Sequence, residues 1–131
     1  MTVSTWLPDV DADFDSVFGL RPDLYAAYRE FADVFYTHNL LDPLVLDLCR
    51  QRVEALLRGA PRASATDLTD AQRACVTLAE QFVLDPHGVT PQQRTAVTEH
   101  FGEAGLVALV EALAVFDGFT RFRSILEITD S

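Results

Sequence analysis

The sequence predicts an all-α protein: a single compact bundle of about five helices with a long apolar helix at the C-terminal end. Three observations carry this. Apolar residues recur at helical spacing in every long segment. The segments open on start signals and close at glycine or proline. Strand alternation is missing throughout. The chain has 131 residues, the size of one ordinary domain, and such a chain buries roughly two-thirds of its unfolded surface without help from a disulfide or a metal. Two parts are expected, an N-terminal arm (1–20) packed on the body and a helical domain (21–131).

The arm reads as irregular. Asp9, Asp11, Asp13 and Asp15 alternate along it, and calcium loops begin in this way. The count fails, because Phe14 or Ser16 falls where the turn glycine belongs and Leu20 or Pro22 where the bidentate glutamate belongs. Trp6, Leu7, Val10, Phe14, Val17 and Phe18 are expected to tie the arm down, leaving the aspartates toward water.

The first long helix is predicted over 22–37, with Pro22 at its first position and Asp23 in the first turn. Leu24, Tyr28, Phe31 and Phe35 share one face, and His38 sits at the C-terminal end, where it suits the helix dipole. The second helix starts at Leu41-Asp42-Pro43, with Asp42 as N-cap. Its apolar face is Val45, Leu48, Cys49, Val53, Leu56 and Leu57, and Gly59 and Pro61 end it. A third helix opens on the capping box Thr69-Asp70-Ala71-Gln72 and carries the stripe Ala71, Cys75, Leu78, Phe82. After the turn Asp85-Pro86-His87-Gly88, the box repeats as Thr90-Pro91-Gln92-Gln93, and Gly102 stops this fourth helix.

The final helix spans 103–126. From Ala104 to Phe116 only Glu111 is charged, so the helix is apolar on every side and calls for cover on every side, from the rest of the chain or from a second copy. Gly118 in mid-helix costs about 1 kcal/mol relative to alanine, which points to close approach by another helix or a ligand.

Composition narrows the function classes. Hydrophobic residues are 49% and charged residues 23%, as in ordinary globular domains. The net charge of −10 argues against nucleic acid and anionic membrane as partners. All ten basic residues are arginine, which removes Schiff-base and lysine-base chemistry. Cys49 and Cys75 have neither redox nor zinc spacing and read as reduced core residues. No leader and no membrane span is visible, so a cytoplasmic protein is expected, with no metal or cofactor implied.

Leu41-Asp42-Pro43 followed by Asp47-Leu48 and Arg52-Val53 resembles the "LDPRLRELVxLRVA" helix of the carboxymuconolactone decarboxylase and alkylhydroperoxidase D-like family. Leu68-Thr69-Asp70-Ala71-Gln72-Arg73-Ala74, ending in Leu78-Ala79-Glu80, is similar to its "LTPAERAVLxLAE" segment. Gly88-Val89-Thr90 and the stretch from Phe101 resemble its closing helices. Together these cover roughly residues 24–128. Redox members carry C-x-x-C and a histidine after the anchor helix. Here those cysteine positions fall on Gly59 and Arg62, and the histidine-bearing helix is missing, so the resemblance implies a truncated member without thiol peroxidase activity. Asp47 replaces the anchor glutamate, and Arg121 falls where the family often has an arginine.

What this implies is a redox-inactive protein binding a small organic molecule between helices, with non-redox acid–base chemistry, decarboxylase- or lyase-like, in reach. Asp47 and Glu111 are the catalytic candidates. Arg52, Asp117 and Arg121 are the ligand-binding ones: an arginine can hold a carboxylate bidentately, and Asp117 and Arg121 form an i, i+4 pair. The alternative is a non-catalytic helical subunit for oligomerisation or partner binding, which the family's ring-forming members suggest. A homo-oligomer is expected on either reading.

Overall fold

A computed structural model describes residues 5–59 and 67–129. Among these the chain forms five α-helices and no strand: α1 (Phe14–Phe18), α2 (Pro22–Thr37), α3 (Pro43–Leu57), α4 (Asp70–Leu84) and α5 (Pro91–Ile125), with a 3-10 turn over Pro86–Gly88. No helix among the described residues is long and apolar enough to cross a membrane. Pro61 and Arg62 lie outside the described residues.

The predicted start signals form. Asp42 accepts a hydrogen bond from the Leu44 amide at 2.8 Å with Pro43 at the first helical position. Thr69 and Gln72 close a reciprocal box, the Gln72 amide donating to Thr69 Oγ1 at 3.1 Å and the Thr69 amide to Gln72 Oε1 at 2.9 Å. Thr90 and Gln93 repeat it at 3.1 and 3.0 Å. Each box satisfies two amides that the first helical turn leaves unpaired.

Gly102 breaks α5 into segments 91–101 and 103–125, with φ 75° and ψ 178°. This region is open essentially to glycine alone. A Cβ there would meet nothing within 4 Å, so Gly102→Ala should cost about 1–3 kcal/mol from backbone strain alone, read as a lowered urea midpoint. Gly118 is helical, exposed, and likewise has nothing within 4 Å of a Cβ; the close approach expected there is not made by the described residues. Gly118→Ala should therefore stabilise the lone chain by about 0.4–1 kcal/mol.

The chain divides into two units, residues 1–39 with 119–131, and residues 40–118. In the first, the arm, α2 and the end of α5 come together. The arm contains a short helix not anticipated from sequence: Asp13 caps it, accepting from the Ser16 amide at 2.7 Å, and Asp15 accepts from the Tyr25 hydroxyl at 2.6 Å. These two aspartates thus have structural partners instead of simply facing water. Among the described residues no cluster of His, Cys, Asp or Glu could hold a metal ion.

α2 departs from its expected face. Phe35 is its one buried residue, Tyr28 is half-buried, and Leu24 and Phe31 are 48% and 42% exposed. The helix carries two apolar stripes at heptad spacing. One is Tyr25, Tyr28, Ala32 and Phe35; the other, Leu24, Ala27, Phe31 and Val34, is exposed.

In the second unit α3 packs on α4. Val45, Leu46, Cys49 and Val53 of α3 are buried, as are Cys75, Leu78 and Ala79 of α4 and Val97, Leu109, Ala112, Leu113 and Phe116 of α5. α5 is not covered all round: Val107 is 69% and Val110 41% exposed, beside exposed Ala104, Glu111, Ala114 and Gly118.

Candidate functional site

The residues of α3 and α4 that face each other beside the core form a half-open cleft of about 430 Å3. Each helix supplies a quartet at i, i+3, i+4 and i+7, the spacing that puts four side chains on one helical face. From α3 these are Leu48, Gln51, Arg52 and Ala55; from α4, Arg73, Val76, Thr77 and Glu80, with Leu68 just ahead of the helix. The volume is in the range of small-molecule sites, and the mixture of an apolar surface with a few polar groups is typical of them.

Arg52 and Glu80 tie the two helices together. Arg52 Nε donates to Glu80 Oε2 at 2.9 Å, and a terminal guanidinium nitrogen donates to the same oxygen. Both side chains are largely withdrawn from water, 10% and 15% exposed. A buried charge of this kind is tolerated only when paired, and the pair occupies two of the five guanidinium N–H groups.

Arg73 is held differently. It reaches the Leu68 carbonyl at 3.3 Å and Asp70 Oδ1 at 3.5 Å. Its side chain is 55% exposed and that of Asp70 90%, so this is a loose surface pair of little energetic weight. Arg73 and Thr77 also line a second cleft of about 440 Å3, shared with Asp70, Glu99 and His100.

Of the residues singled out from sequence, Arg52 lines the α3/α4 cleft and the others do not. Asp47 lies on the outer side of α3. It accepts from Arg50 at 2.6 Å and from Gln51 Nε2 at 2.8 Å, and Arg50 also reaches Glu54 at 3.1 Å. The bond that Arg50 donates to Asp47, with the nearby Glu54 charge, holds the Arg50 guanidinium in its protonated form more firmly than usual, against the effect of burial. Glu111 is exposed on α5, Asp117 half-buried farther along it, and Arg121 exposed in the first unit.

The residues that sequence reasoning passed over are Glu80, Arg73, Gln51 and Thr77. One signal for Glu80 was present. Arg52 stands between Leu48, Val53 and Leu56 at the border of an apolar face, and an arginine there needs an acid from a facing helix. Which acid answers it depends on how α3 and α4 pack.

Cys49 and Cys75 are fully buried and unoxidised. Burial pushes the Cys49 thiol up to about 12, with the nearby Cys75 adding to it, and the Cys75 thiol up to about 11. The thiolate is the nucleophile, and burial disfavours it at both positions. In the unfolded chain both ionise near their ordinary value of 9.0. Between that value and about 11 the unfolded chain binds fewer protons than the folded one, so stability falls as pH rises. Melting temperature plotted against pH should drop less steeply over that range in a Cys49→Val/Cys75→Val double variant.

Comparison of the chain with family models, with curated proteins and with solved structures finds no match.

Proposed function

We propose that the protein binds a small organic molecule in the α3/α4 cleft and does so without thiol redox chemistry, as a truncated, redox-inactive relative of the family it resembles. One observation carries this reading: a paired, largely buried arginine, Arg52, lies in a cleft of about 430 Å3 whose other side chains are mostly small or apolar. Any acid–base step in the cleft falls to Glu80, the carboxylate that lines it. The test is mass spectrometry of the protein under native conditions, followed by denaturation. A small molecule released on unfolding, and lost in an Ala55→Trp variant that fills the cleft, is the expected result. A molecule retained by that variant would place binding elsewhere. A peroxidase assay with thiol reductants should be negative.

A second reading has its own support. The outer stripe of α2 (Leu24, Ala27, Phe31, Val34) and the exposed face of α5 (Val107, Val110, Ala114, Gly118) are apolar surfaces that the described residues leave open. Apolar patches of this kind mark association sites, which suits a helical subunit that self-associates. Sedimentation at micromolar concentration decides it, and a clean monomer removes the reading. Self-association through α5 would also reverse the sign expected for Gly118→Ala, because the added methyl would then meet a neighbour.

A further inference from the structure

We infer that the ligand of the α3/α4 cleft is a small monocarboxylate with an aliphatic or aromatic body, anchored through Arg73; the inference rests on the cleft reading above. The charged lining consists of two guanidiniums, Arg52 and Arg73, and one carboxylate, Glu80. On a chain of net charge −10, this cleft therefore carries one positive charge in excess.

The two arginines are not equivalent. Arg52 is committed: it is 10% exposed and engages Glu80 through two nitrogens. Arg73 is exchangeable, because its contacts with the Leu68 carbonyl and Asp70 are long and open to water. An incoming carboxylate can displace Asp70 and take two parallel N–H bonds from the planar guanidinium. Thr77, one helical turn beyond Arg73, supplies a hydroxyl on the same face. Leu48, Ala55, Leu68 and Val76 offer apolar surface to the rest of the molecule. The neighbouring cleft, which shares Arg73, adds Asp70 and Glu99 to its lining, so an anion is favoured on the α3 side of Arg73.

A divalent acid is disfavoured. Its second charge would have to sit against the Arg52–Glu80 pair, where Glu80 already balances the guanidinium and faces the newcomer as a like charge. A neutral molecule of the same body gains the apolar contact alone.

The experiment compares hexanoate, octanoate and benzoate with their primary amides, by amide-resolved NMR titration of the whole protein. The acids should bind about tenfold or more tightly than the amides, with shifts centred on α3 and α4. Arg73→Gln should bring the acids down to the level of the amides, and Arg73→Lys should keep part of the difference. Arg94→Gln, which alters an exposed arginine outside both clefts, should change nothing. Asp70→Asn should tighten the acids by removing the competing carboxylate. Equal affinity for acid and amide, or full affinity in Arg73→Gln, overturns the inference. If both compound types bind equally and Ala55→Trp abolishes both, the cleft reading stands and the carboxylate anchor falls. If binding survives Ala55→Trp, or no probe binds at millimolar concentration, both fall.

Discussion

Truncating Arg52 to alanine should cost about 3–5 kcal/mol of folding stability, as expected when one member of a buried ion pair is removed. The loss comes less from the attraction itself than from what it leaves behind: Glu80, 15% exposed and facing α3, loses its guanidinium where water reaches it poorly. Glu80→Ala should be comparably costly, since it strands the guanidinium. Replacing both at once, as Arg52→Met/Glu80→Leu, should recover most of the loss, because well-packed apolar side chains usually match a buried pair in stability. Urea unfolding of the wild type, the two alanine variants and Arg52→Ala/Glu80→Ala closes the cycle, and a coupling of at least about 2 kcal/mol is expected. Single variants that each lose less than about 1 kcal/mol would mean that the pair behaves as a surface salt bridge. The Arg52→Met/Glu80→Leu variant separates two roles: it should fold, and because Arg73 and Thr77 still line its cleft, it should keep the preference for an acid over its amide.

That pair also shows where reading the sequence stops. Features set by neighbours along the chain were legible. Asp42, Thr69 and Thr90 cap the helices that their short-range patterns announce, and Gly102 breaks the last helix at the expected residue. The buried positions of α3 and α4 largely follow their apolar spacing. Features set by distant partners were not legible. On α2, Leu24 and Phe31 were as apolar as Phe35, and periodicity does not say which of two apolar stripes turns inward. The same holds for α5, whose apolar circumference called for cover that the described residues leave incomplete at Val107 and Val110. In the cleft, Arg52 was named from sequence as a ligand-binding candidate, whereas Glu80 and Arg73 come to line the same cleft only when α3 and α4 are laid side by side. Asp47 drew attention by its place in the motif, and its actual partners are Arg50 and Gln51 on its own helix.

The second large effect is expected at Phe14. Its ring centroid lies 5.3–6.0 Å from those of Tyr28, Phe18, Phe122 and Phe119, and the Arg123 guanidinium sits over it at 4.4 Å. Phe14→Ala should cost about 3–5 kcal/mol, the range for emptying a buried aromatic site, whereas Phe14→Leu should lose much less because it keeps most of the volume. Arg123→Gln should cost about 0.5–1 kcal/mol through the lost cation–π contact. Among the described residues the first unit has few other buried side chains, Ala12, Val17, Phe35 and Thr120, so little there can absorb the loss. The damage should therefore be local: the arm and its helix α1 release before the second unit unfolds. Trp6 reports this, being the one tryptophan of the chain and donating from its indole nitrogen to the Leu126 carbonyl at 3.0 Å. In Phe14→Ala, Trp6 fluorescence should shift to the red at a temperature where far-UV circular dichroism still shows most of the helix. If fluorescence and dichroism fall together at one lowered midpoint, the aromatic cluster is part of a single cooperative transition and local release of the arm is wrong.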